Sequence, residues 1–283
     1  MVSGLASNTA VPSRTLLLGL PFAAIVLICF FIYRGFPYDA LADVIIARAR
    51  AEGVAISFQQ VSAKLSLAGP GVEAHGVGID AGSGLWPVNR LLARPAWSFS
   101  WLRGQPSVYA ELESPLGDIQ GTLTLGEPRA WRGDLLGIDL KRFPLGGLGR
   151  AGFQGTADAE LDLQFTEGAT EGRVRFEARE GSVQLPGVPV PIPYERLTGE
   201  LVLGGEHSIE VLVFHLQGPM LTAEIAGIVG TAANLADAPL RLEAQITADR
   251  ALVGALQGAG IRMNNDGKAS LRIKGTLSQP RYR

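Results

Sequence analysis

Gly147-Leu-Gly149-Arg-Ala-Gly152 reproduces the G-x-G-x-x-G spacing that lets backbone amides approach a pyrophosphate. That chemistry needs a strand before the glycines and a helix after them. Here Phe143-Pro144 precedes them and an alternating strand follows, so they read as a glycine-rich link. The three histidines are His75, His207 and His215. His207 and His215 flank a predicted strand near Glu206 and Glu210, but they lack the i, i+4 spacing of a helical metal pair. Cys29 is the only cysteine, and it lies inside an apolar run. It offers no disulfide and no cysteine-ligated zinc site. No Walker loop, nucleophile elbow or zinc signature occurs. The expectation is no catalytic residue, no metal and no cofactor.

Two other features could bind rather than react. From Gly155 to Phe165 residue types alternate strictly. Ala157, Ala159, Leu161, Leu163 and Phe165 take one side; Thr156, Asp158, Glu160, Asp162 and Gln164 take the other. One apolar and one wetted face mark an antiparallel sheet. The apolar five are a candidate groove face for lipid, or else core. The second feature is Leu185-Pro-Gly-Val-Pro-Val-Pro-Ile-Pro-Tyr194. Its prolines cannot join a central ladder. Pro189, Pro191, Pro193 and Tyr194 are a candidate partner-docking segment; guarding a sheet edge is an equal reading.

The elements that must position these residues follow from periodicity. Val54, Ile56 and Phe58 alternate, then Val61, Ala63, Leu65 and Leu67 resume out of phase, which predicts a bulge at Gln59-Gln60. Further alternating runs cover 108–112, 119–125, 174–178, 221–229, 240–248 and 269–277. The run Ile209 to Leu216 is apolar on both sides, which predicts a strand covered twice. Asp249 should cap a short helix from Arg250 to Gln257, and Asn264-Asn-Asp-Gly267 should turn the chain. The 36 glycines among 283 residues suit many turns.

Thr15 to Tyr33 is 19 residues without a charge, bracketed by Arg14 and Arg34. At 1.5 Å per residue this matches the roughly 30 Å hydrocarbon layer. A signal peptide has a shorter apolar region, so residues 15–33 read as an uncleaved transmembrane helix after a short tail, 1–14. Pro37 then opens a helix, Tyr38 to Glu52, within a linker segment 34–53. It either lies amphipathically on a membrane or partner, or caps the β-domain. Residues 54–283 form that domain. Net charge is −2, with no stripe of Lys and Arg, which argues against nucleic acid. The fold class is mainly β: an N-terminal transmembrane helix, then an elongated, curved antiparallel sheet with a short helix at one end.

The order of short motifs carries a resemblance. Gly35-Phe-Pro-Tyr-Asp39 follows the anchor, then come Trp101-Leu-Arg-Gly104, Gly117-Asp-Ile-Gln-Gly121, Gly137-Ile-Asp-Leu140 with Phe143-Pro144, and Ile273-Lys-Gly-Thr-Leu-Ser-Gln-Pro280. Together they resemble the type II secretion system protein N family and, more distantly, AsmA-like proteins. The resemblance implies a bacterial inner-membrane anchor, a periplasmic β-domain, partners among secretion-system proteins and a non-catalytic accessory role. The AsmA-like side implies a lipid-binding or lipid-transfer groove. Neither supplies catalytic residues.

Overall fold

The computed structural model describes residues 38–51, 53–66, 69–80, 85–96, 104–142, 152–166, 169–185, 187–204, 208–232 and 237–282, with Leu27 and Gly35 besides. The predicted span 15–33 thus lies outside the described residues save Leu27. Among the described residues no helix is long and apolar enough to cross a membrane. Helix α1 runs Tyr38–Ala51 and ends at Gly53, whose φ of 82° suits a glycine just past a helix end.

Among the described residues fifteen strands form one antiparallel sheet. The first five are β1 (Ala55–Ser57), β2 (Gln60–Ser66), β3 (Gly69–Asp80), β4 (Leu85–Pro95) and β5 (Ser107–Glu113). Next are β6 (Asp118–Thr124), β7 (Arg129–Asp139), β8 (Gly152–Thr166), β9 (Ala169–Gln184) and β10 (Ile192–Gly204). The last are β11 (Ser208–Gln217), β12 (Leu221–Gly230), β13 (Pro239–Ala248), β14 (Lys268–Thr276) and β15 (Pro280–Tyr282). From β3 onward each strand pairs with its successor, and β1 and β2 share the outer edge of β3. Among the described residues no pairing joins the two ends of the sheet.

The phase change near Gln59 is not a bulge. Ser57 pairs with Gly78 and Gln60 with His75, so equal numbers of residues separate the two pairs on each strand. The ladder breaks instead at Gly76, whose φ of 60° only glycine adopts readily. The burial phase of β3 flips there too, from Ala74 to Val77. Both strands turn over together, and no extra residue is needed.

Burial is concentrated at two places. The larger core lies under β8–β14, where α2 (Arg250–Gly258) and the loop before β10 cover the apolar face. Leu252 and Leu256 of α2 and Ile192 of β10 are its most enclosed large side chains. Asp249 caps α2 by accepting a hydrogen bond from the Arg250 amide at 2.6 Å. The smaller core, Ala74, Val77 and Val88, sits at the other end with Phe58 and Trp86 against it. The expected second cover of β11 is absent among the described residues. Leu212 occupies a bulge there and stays 40% exposed.

Candidate functional site

Register brings the groove-face residues into a row of neighbours. Leu163 lies between Trp131 and Gly172, Leu161 between Gly133 and Val174, and Ala159 between Leu135 and Phe176. Phe176 reaches across Gly199 towards Phe214, with ring centroids 6.1 Å apart. Ala157 is buried beside Ala178, in the larger core. Further along β8, Ala159, Leu161 and Leu163 are half-buried, and Phe165 is 37% exposed. The apolar face therefore passes from a covered end to a wetted one. Apolar area at the wetted end can gain roughly 25 cal/mol per Å² on being covered by an acyl chain or an apolar segment.

The opposite face carries charge. Across β5–β10 it holds a groove of about 920 Å³ lined by Tyr109, Gln120, Arg132, Asp134, Asp162 and Arg173, among others. Its charges are largely paired: Arg132 with Asp162 at 3.2 Å, Arg173 with Glu200 at 3.1 Å and Arg175 with Glu200 at 3.3 Å. Beyond the groove, Arg179 and Arg196 each meet Glu177 at 2.9 Å, and the Arg179 hydrogen bond leads in holding that carboxyl below its usual range. Exposed pairs of this kind contribute little to stability.

One charged cluster is enclosed. Glu73 is 8% exposed and touches Lys64 at 3.2 Å and Arg90 Nε at 2.9 Å, with His75 Nε2 at 3.7 Å. Arg90 also binds Glu113 and reaches Glu111 at 3.5 Å. Arg90 Nε approaches Glu73 off its N–H axis, so that contact is coulombic and not a hydrogen bond. Burial pushes the Glu73 carboxyl up, but Lys64, Arg90 and His75 together outweigh it and hold the carboxyl below its usual range. Sequence reading missed this cluster because its members come from β2, β3, β4 and β5 and meet only through register.

The proline segment splits by position. Pro189, Pro191 and Pro193 are exposed, whereas Val188, Ile192 and Tyr194 are buried. The Tyr194 hydroxyl donates to the Gln154 carbonyl at 2.7 Å, so this side chain is held inside the fold. Pro193 pairs only with Ser182 of β9, because β11 joins β10 from Arg196 onward. The exposed docking candidates are thus the three prolines.

His207 and residues 143–151 of the glycine-rich link lie outside the described residues. His215 sits between Thr198 and Glu224 on neighbouring strands. No three His, Cys, Asp or Glu side chains converge as a metal site among the described residues. No protein-family model, curated protein or solved structure matches the chain.

Proposed function

We propose that this chain is a non-catalytic accessory component of a type II secretion system, anchored in the bacterial inner membrane with its sheet in the periplasm. One observation carries this reading. Two of the five motifs that bear the resemblance, Gly117–Gly121 and Gly137–Leu140, meet at a single joint in the fold. Gly117 has a φ of 127°, and a Cβ on it would lie 2.5 Å from Ile138 Cδ1. The Asp139 amide donates to the Leu116 carbonyl at 3.0 Å, and Asp118 pairs with Leu136. Two short motifs distant in sequence therefore meet in the fold, and the reading rests on the order of all five. Purification of the full chain from native membranes should recover inner-membrane components of the secretion apparatus. Deleting the protein should reduce export of the system's substrates. Unchanged export, with lipid as the sole companion, would overturn the proposal.

A second reading, an AsmA-like lipid groove, is favoured by the half-exposed row Leu161, Leu163 and Phe165. It makes a separable prediction. In the free protein a carboxylate at position 163 can reach water, so Leu163→Asp should fold with little loss of stability while co-purifying lipid drops several-fold. Asp162→Ala, on the charged face, should change lipid content little. Wild-type lipid content in the Leu163→Asp protein would remove this face from consideration.

A further inference from the structure

The charged face carries an anomaly at its C-terminal end. Ile228, 46% exposed, lies on it two strands from Val202 with Glu210 between them, and Leu212, 40% exposed, occupies the bulge that follows Glu210 and Val211. A strand apolar on both sides needs two covers, and the described residues supply one. Charge is sharply divided around this patch. Residues 152–238 hold thirteen acids and four bases; residues 239–283 hold three acids and eight bases. Register makes the division local. Glu210 pairs with Ile228, Ile228 with Arg241, Arg241 with Lys274, and Lys274 with Arg281. Three cations thus stand directly opposite one another on adjacent strands, an arrangement that repels. Among the described residues none of the three has an ion pair, whereas Arg272 on the same strand pairs with Glu243 at 3.3 Å. Glu210 lies two strands from Arg241, about 10 Å at the usual strand spacing, with Ile228 between them.

We propose that this patch is a two-fold interface between two copies of the chain, centred on Ile228. In an isologous contact the same patch serves on both sides, so its own features must complement one another. A row reading acid, apolar, base does this when turned about its centre. Ile228 meets Ile228 of the second copy, Glu210 faces Arg241, and Leu212 gains its missing cover. A patch of one sign would need a foreign partner; this one holds both signs on either side of an exposed isoleucine. The proposal stands apart from the secretion reading, since it uses only β10–β15.

The test uses the full chain in detergent micelles with Cys29→Ser, which leaves no native thiol. Disulfide formation requires Cα atoms within about 7 Å, so near a two-fold axis a residue can cross-link to its own copy. Ile228→Cys should therefore give a covalent dimer on mild oxidation, and Gln164→Cys, far along the same face, should not. Arg241→Glu or Glu210→Arg added to Ile228→Cys should lower the cross-linked yield at least tenfold. Both together should restore it, which shows that neither change merely unfolds the protein. Raising salt should weaken the dimer. Absence of cross-linking through Ile228→Cys, or cross-linking that ignores charge reversal, overturns the proposal. So does a monomeric chain that binds phosphatidylglycerol vesicles through Arg241, which would assign the face to an anionic membrane.

Discussion

Leu256→Asp is expected to abolish folding of the C-terminal half of the sheet. Leu256 is 0% exposed, in the last turns of α2, packed into the larger core with Leu252 at 1%. An aspartate there loses the transfer energy of a buried leucine, about 2 kcal/mol. It also places a carboxylate where no partner waits, at an effective cost of several kcal/mol. A typical domain has only about 5–15 kcal/mol in hand. The variant should be recovered as aggregate, or lose its cooperative transition in urea. Ala251→Asp is the control. Ala251 is exposed in the first turn of the same helix, where a negative charge complements the helix dipole by about 0.3–1 kcal/mol. The same introduced carboxylate five residues apart should thus give collapse in one case and slight stabilisation in the other. Equal stability of the two variants would mean that α2 does not seal the core.

Arg90→Met should destabilise the N-terminal end of the sheet by about 3 kcal/mol at neutral pH, the low end for breaking an enclosed ion pair because Lys64 remains beside Glu73. The pH dependence gives the sharper test. The Glu73 carboxyl is held below its ordinary value in the fold. Its contribution is therefore complete above the unfolded value and is lost as pH falls through the folded one. Removing Arg90 takes away one of the groups that hold it down, so the variant has less of this stability to lose. The gap in urea midpoint between wild type and variant should narrow on acidification from neutral pH to below 4.5, the ordinary value for this carboxyl. A gap that stays constant would place the cost of the substitution in packing and not in charge.

What could be read from the sequence divides along physical lines. Alternation from Ala157 to Phe165 identified β8 because one side of that strand is wet along its length. Asp249 and the Asn264 turn were legible because their hydrogen bonds are local: Asn264 Oδ1 accepts from the amides of Asp266 and Lys268. Strands β3, β4 and β7 escaped. The glycines Gly71, Gly76 and Gly78 break the pattern of β3, Pro87 interrupts β4, and Gly133 and Gly137 dilute β7. Their place in the sheet is imposed by neighbours, which a periodicity argument does not see. The same limit hid the Glu73 cluster and the cation row. Arg241, Lys274 and Arg281 are unremarkable in sequence and become a row only when three strands are aligned. The doubly apolar stretch in β11 was visible from the start, but which side would lack a cover was not.

The strand order has a bearing on how such a sheet comes into being. Because each strand from β3 onward adds beside its predecessor, most ladders close short loops, the longest being the segment between Ala248 and Lys268 that holds α2, and closure entropy grows only slowly with loop length. Growth can proceed at one moving edge, as in repeat proteins where each unit touches only its neighbours. A chain synthesised N-terminus first can therefore lay down strands in the order of their emergence. α2 is the exception. It follows β13 yet belongs to the same core as Ala157 of β8, so that core stays incomplete until nearly the whole chain is present.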